Sequence, residues 1–250
     1  MEAVKGKKEM IKQLRAKMLS MEQSGRGMVE RKLGFGLEAL NVAFPGGGFP
    51  LGAIHEFSTA DEASAAATSG FLSVLLAALM KKSGLCLWVS TGRNLFPPAL
   101  KKLGVEPHRV IFIDVRQQAD VLWVMEQSLR CKALVAVVAE LRDVSFAESR
   151  RLQLAVENSQ VSGFLHRRQP RSENTLACAS RWKISPLPSR SDEGLPGVGF
   201  PRWQVELLKV KNGRPGIWQF EWKQKRIHPV VDGMPETVSG KSTRNTPKYA

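Results

Sequence analysis

Three short runs, at residues 85–90, 110–115 and 133–139, are apolar almost without a break, and segments of helical spacing separate them. A strand that shows one face to water alternates in polarity, whereas a strand apolar at every position is covered on both faces. Leu-Cys-Leu-Trp-Val-Ser, Val-Ile-Phe-Ile-Asp-Val and Ala-Leu-Val-Ala-Val-Val-Ala therefore read as inner strands of a parallel sheet. Helices are expected over residues 62–80, 98–103, 119–130 and 146–158, with further strands at 53–57 and 163–166. The class is α/β, a doubly wound and mainly parallel sheet.

The pattern changes after residue 171. Three strands are expected at 175–184, 203–211 and 216–222. The last two are joined through Asn212-Gly213, a strong hairpin signal. Residues 186–201, rich in Ser, Gly and Pro, read as a surface loop. These strands form an antiparallel extension of the sheet. A core of residues 28–230 then lies between an N-terminal helix with its linker (1–27) and a tail (231–250) whose composition predicts disorder.

The N-terminal helix is expected over residues 7–23. Met10, Ile11, Leu14, Met18 and Met21 recur at spacings of three and four and share one face. Ser24-Gly25-Arg26-Gly27 ends it as a flexible joint. Such a stripe must be buried, either back on its own core or on another protein, and methionine-rich faces suit both.

Composition bounds the partners. The 250 residues carry a net charge of +14 and a pI of about 10.0, so the chain is drawn to polyanions, less so as salt rises. No apolar run reaches the roughly 18 residues of a membrane span. The N-terminus has no signal-type apolar core, so the expected location is cytoplasmic. Cys86, Cys131 and Cys178 lie far apart in or beside apolar runs and read as small buried hydrophobes. Neither they nor the four histidines show metal-ligand spacing. Trp88 and Trp123 sit in apolar patterns and are expected in the core, and the late tryptophans should pack within the extension.

The segment ahead of the first long helix is framed like a nucleotide site but lacks its chemistry. Residues 33–57 read as a short helix, a glycine turn and an apolar strand. A phosphate loop should follow, with glycines for close backbone approach, a lysine for the phosphates and a hydroxyl for Mg²⁺. The chain runs Ser58-Thr59-Ala60-Asp61-Glu62-Ala63 instead, with no lysine. Thr59 and Glu62 have capping-box spacing, and Asp61 and Glu62 place carboxylates where an anion would sit. Val89-Ser90-Thr91-Gly92-Arg93 offers no catalytic carboxylate. Glu140 ends its strand one residue away from where a metal-water acid belongs, and such a shift turns a side chain to the other face. Gly46-Gly47-Gly48 precedes a strand and is a plain turn. No Gly-x-Ser-x-Gly elbow occurs, and His55 reads as a hydrogen-bonded structural histidine. No catalytic residue, cofactor or metal is expected.

The order of these parts resembles the RecA-like core. Leu33-Gly-Phe-Gly-Leu-Glu-Ala-Leu40 with Gly-Gly-Gly-Phe-Pro-Leu-Gly-Ala-Ile-His-Glu56 is similar to the lead into that family's phosphate loop, and Lys102-Leu103-Gly104-Val105 to a later turn. The chain is identified more closely with ImuA-type proteins, RecA-like accessory factors of damage-induced (SOS) mutagenesis. The residues that carry this are Ala179-Ser180-Arg181-Trp182-Lys183, Pro201-Arg202-Trp203-Gln204-Val205-Glu206-Leu207-Leu208 and Asn212-Gly213-Arg214-Pro215-Gly216-Ile217-Trp218. The resemblance implies a non-polymerase role in translesion synthesis beside a Y-family-like polymerase homologue, an error-prone replicative-type polymerase and a RecA-type recombinase.

Three functions follow as expectations. In the first, the chain is a non-catalytic adaptor that docks through Met10, Ile11, Leu14 and Met18. In the second it binds single-stranded DNA through Arg167, Arg168 and Arg171, which lie where RecA-like proteins carry loops facing the filament axis, together with Lys183. In the third it is a residual ATPase with a degenerate site.

Overall fold

The computed structural model describes residues 30–34, 36–80, 84–92, 94–190 and 199–230. The expected helix at 7–23, with Met10, Ile11, Leu14 and Met18, and the expected tail from 231 lie outside the described residues. In chain order the elements are β1 (Glu30–Arg31), a 3-10 turn (Glu38–Ala43), β2 (Phe49–Pro50), β3 (Ile54–Thr59), α1 (Glu62–Met80), β4 (Leu85–Ser90), α2 (Pro97–Lys102) and a 3-10 turn (Pro107–Arg109). There follow β5 (Val110–Asp114), α3 (Gln118–Leu129), β6 (Leu134–Leu141), α4 (Phe146–Ser159), β7 (Ser162–Arg168), β8 (Ser180–Arg190), β9 (Phe200–Val210), β10 (Gly216–Lys223) and β11 (Arg226–Pro229).

Among the described residues, nine strands form one sheet in the order β11-β10-β9-β8-β3-β7-β6-β4-β5. The strands from β5 to β8 run parallel, and β9, β10 and β11 continue antiparallel. This is the expected α/β, RecA-like architecture, with three differences in the extension. β8 runs on to Arg190 and β9 starts at Phe200, both inside the expected loop of 186–201. The extension's first strand, β8, lies parallel to β3 and so closes the parallel body. Its last, β11, was not expected.

Successive strand residues face opposite sides, and each side has its own core. On one side Phe57, Trp88, Val138, Phe164, Trp182, Trp203, Val205 and Phe220 pack around α1. On the other, Ile54, Val89, Val137 and Leu165 meet Val121, Met125 and Leu129 of α3 and Leu152 and Val156 of α4. Every residue of α1 from Phe71 to Met80 is buried. That helix has the length and hydropathy of a membrane span, yet 78% of the apolar window is covered inside the fold. It is a core helix.

The glycine turn at 46–48 leads into β2 as expected, with Gly47 at φ +69°. Gly213 is required for a different reason: a Cβ there would stand 2.2 Å from the Ala43 carbonyl oxygen. The hairpin thereby approaches the 3-10 turn closely enough for the Arg214 N–H to donate to that same oxygen at 2.8 Å.

Three expectations are corrected. The apolar run of β5 is not covered on both faces: the strand is an edge of the sheet, with Ile111 45% and Phe112 36% exposed. Trp123 is 64% exposed, because Val121, Met125 and Leu129 take the sheet-facing side of α3 and leave position 123 pointing away. Cys131 is exposed rather than buried, since it lies in the turn that ends α3. Cys86 is buried as expected, and burial pushes its thiol up to about 12.

Candidate functional site

In open α/β sheets, ligands bind beyond the carboxyl ends of the parallel strands. Here that rim carries a polar cleft of about 480 Å³, lined by Glu62, Thr91, Asn94, Gln118, Glu140 and Arg168 among others. Glu62 opens α1, Thr91 follows β4, Glu140 lies near the end of β6, and Arg168 ends β7.

The turn into α1 decides what the cleft can hold. Only Ala60 and Asp61 join β3 to α1. A loop that wraps a phosphate with successive backbone N–H groups needs several residues between strand and helix, and two cannot form it. The expected capping box is also corrected. Asp61, not Thr59, caps the helix: its Oδ1 accepts from the Ser64 N–H at 2.7 Å and its Oδ2 from the Ser64 hydroxyl at 3.1 Å. Those bonds to Ser64, backbone first, hold the Asp61 carboxyl below its usual range, and Lys183 on β8 adds a smaller effect of the same sign. Thr59 is still in the strand, buried, with its hydroxyl donating to the Arg167 carbonyl oxygen at 3.2 Å.

Glu62 is thereby free to reach across the cleft, where its carboxylate accepts from Arg168 Nη2. Arg168 Nη1 donates to Glu140 Oε2 at 3.3 Å. One guanidinium thus bridges two carboxylates from different elements. Glu140 does line the cleft, on the α1 side of the sheet, and is 4% exposed. Trp88 Nε1 donates to its Oε1 at 2.8 Å. Burial raises the Glu140 carboxyl above its usual range, against the lowering effect of Trp88 and Arg168. The described lining carries two carboxylates, Glu62 and Glu140, and two guanidiniums, Arg168 and Arg142. Arg168 is spent on both carboxylates and Arg142 Nε donates to the Gln169 carbonyl at 2.9 Å, so the cleft has no net positive charge to offer a nucleotide's phosphates.

The other expected DNA-contact residues part company. Residues 162–168 form β7, so Arg167 belongs to a strand and not to an open loop. Its side chain is 1% exposed and donates to Glu56 Oε1 at 2.8 Å, to the Ser172 carbonyl at 2.9 Å and to Asn174 Oδ1 at 3.0 Å. Alternation explains the placement: Leu165 and Arg167 face the α3–α4 side, and Arg168 faces the cleft. Arg181 Nε completes the shell of Glu56 at 2.7 Å, and Arg181 Nη2 donates to the Asn174 carbonyl. Arg167 is therefore unavailable to a ligand, and it pins the segment after β7. Arg171 stays exposed, 3.8 Å from Asp143, and Lys183 is exposed on β8.

His55 is the structural histidine expected. Its Nε2 lies 2.9 Å from the Pro50 carbonyl oxygen and its Nδ1 2.7 Å from Ser180 Oγ. A carbonyl only accepts, so Nε2 carries the hydrogen and Nδ1 accepts from Ser180, which in turn accepts from Trp182 Nε1 at 2.6 Å. Burial pushes this imidazole down to about 4. Among the described residues no group of three His, Cys, Asp or Glu side chains could hold a metal ion.

No protein-family model matches the chain. It is 38% identical over 198 residues to Protein ImuA of Caulobacter vibrioides strain NA1000 / CB15N, an alignment covering 74% of this chain and 81% of that protein. The same identity and coverage hold for Protein ImuA of the strain ATCC 19089 / CIP 103742 / CB 15. With the RecA-like sheet and that identity across most of both proteins, the chain belongs to the ImuA family.

Proposed function

We propose that this chain is a non-catalytic, RecA-like adaptor in damage-induced translesion DNA synthesis. Its partners in this reading are a RecA-type recombinase, a Y-family-like polymerase homologue and an error-prone replicative-type polymerase, met in the cytoplasm at the nucleoid. Family membership supports the pathway. The observation that carries the non-catalytic part is Arg168 bridging Glu62 and Glu140, in a cleft whose entrance turn has two residues.

The test is co-sedimentation of the purified chain with recombinase filaments on single-stranded DNA, beside bare DNA at the same salt. The adaptor reading expects capture by filaments and little by bare DNA; equal capture by both overturns it. Saturable ATP binding at millimolar ATP and Mg²⁺ overturns the non-catalytic part and revives the residual ATPase.

A direct DNA contact is the second reading, and the exposed Arg171 and Lys183 are what favours it. Replacing both with alanine should then flatten the salt dependence of single-strand binding by about one to two in log–log slope. An unchanged slope removes them.

A further inference from the structure

The outer layer formed by α3 and α4 holds a second, separate groove of about 560 Å³. Arg130, Lys132 and Arg151 stand around it, with Leu154 and Ala155 in its wall. Glu126, whose side chain is 11% exposed, sits between the two arginines. Its Oε1 accepts from Arg130 Nη2 at 2.8 Å, and its Oε2 accepts from Arg151 Nη2. The arginines are nonetheless 59% and 65% exposed. A guanidinium has five N–H donors, so one donation to Glu126 leaves most of each fork facing solvent. A nearly buried carboxylate therefore holds two exposed guanidiniums in fixed positions on neighbouring helices.

Long cationic side chains normally lose rotamer freedom when they bind, and here much of that ordering is already in place. Apolar surface adjoins the charges. Leu154 is 48% and Trp123 64% exposed, and Trp123, Gln127 and Arg130 follow one face of α3 by spacing. Exposed Trp and Arg with an aliphatic wall is the composition of protein-binding hot spots.

We propose that this groove docks an acidic, leucine-bearing segment of another protein, with Arg130 and Arg151 clamping its carboxylates and Leu154 and Trp123 receiving its apolar side chains. The sign of the charge excludes this chain's own ends, since residues 1–29 and 231–250 are both net basic. A nucleic acid strand is disfavoured because the cations converge on one point beside an aliphatic wall instead of spacing along a track. The proposal rests on the adaptor reading for its biological meaning, but not for its test, which uses neither recombinase nor polymerase.

The probe is a labelled helix-forming peptide of Glu, Leu and Ala, titrated into the full chain by fluorescence anisotropy, with a labelled oligo(dT) alongside. Arg130→Ser and Arg151→Ser should each weaken the peptide about tenfold and leave oligo(dT) unchanged. Glu126→Gln separates a clamp from mere attraction. Removing an acid makes the groove more positive, so simple attraction predicts tighter binding. Loss of the orienting carboxylate predicts weaker binding, and that is the expected result. Peptide affinity that rises in Glu126→Gln, or does not change in either arginine variant, overturns the proposal, as does loss of oligo(dT) binding in its place. Unfolding temperatures of the variants check that each is folded, and the two exposed arginines keep the test open if Glu126→Gln is not.

Discussion

At the scale of single residues, the arginines show how far sign and partner diverge. Three basic residues in one segment are visible in any reading of the sequence, and they suggest a cationic loop. The acids that answer Arg167 and Arg168, namely Glu56, Glu62 and Glu140, lie far off along the chain and meet them only in the folded sheet. Arg167 and Arg171 should accordingly behave as opposites. Arg167→Ala strands a buried carboxylate with one of its two guanidiniums gone, a change that costs about 3–5 kcal/mol in comparable buried pairs. Arg171→Ala should shift stability by less than about 0.5 kcal/mol. Urea unfolding of the two variants decides this, and near-equal midpoints would mean that Arg167 does not hold the segment after β7. The buried histidines give a pH dependence. Burial lowers His55 to about 4 and His166 to about 3, and neither ring nitrogen of His166 has a hydrogen-bond partner. Folded values below the unfolded 6.5 mean that the unfolded chain takes up protons first. Their contribution is complete above roughly pH 7 and is lost as pH falls from about 6.5 toward 4 and then 3. Replacing His166 with Leu should remove about one proton, near 1.4 kcal/mol per pH unit, from the steepness of that acid limb. An unaltered limb would show that His166 takes up its proton at the same pH in the folded and unfolded states.

At the scale of elements, what the sequence made legible was periodicity, and what it hid was capping and turn chemistry. β4, β6 and α1 fall where continuous apolar runs and alanine-rich spacing put them, because burial on both faces leaves little choice of residue. β5 has the same kind of run but is an edge strand, so an apolar run alone does not tell an inner strand from an edge. The cap of α1 was misread. Thr59-x-x-Glu62 has the right spacing, but Thr59 is committed to the strand and Asp61 is the residue whose side chain reaches the third helical N–H. A true capping box opens α4 instead: Ser145 Oγ accepts from the Glu148 N–H at 3.2 Å, and Glu148 Oε2 accepts from the Ser145 N–H at 2.7 Å. Ser145→Ala should therefore cost about 1 kcal/mol, read as a lower unfolding midpoint. No change would mean water caps that helix equally well. β11 escaped notice for a related reason. Its turn is Gln224-Lys225, with φ +53° and +58°, a pair of left-handed residues that hairpins usually fill with Asn-Gly. Strand-forming runs this short give no other signal.

At the scale of the whole molecule, the packing predicts that the sheet and the helices around it unfold as one body. Trp88 from the parallel strands and Trp182, Trp203 and Trp222 from the late strands share one core around α1, and Trp222 Nε1 also donates to the Lys102 carbonyl of α2 at 3.2 Å. This joining of the two ends of the sheet was not legible, since periodicity describes each strand and says nothing of how far a sheet curls. Tryptophan emission and far-ultraviolet circular dichroism should thus report a single coincident transition. The first tether among the described residues comes at Arg31, whose Nη1 donates to the Leu79 carbonyl at 2.6 Å, alongside the pairing of β1 with β2. Removing residues 1–24 cuts before both. The truncated chain should keep its unfolding temperature within about 2 °C, below the shift that losing roughly 1 kcal/mol would give in a protein of this size. If it does so and no longer sediments with recombinase filaments, then the stripe of Met10, Ile11, Leu14 and Met18 belongs to a partner. A marked fall in unfolding temperature would assign that stripe to the chain's own core, and filament capture would then have to run through the folded body.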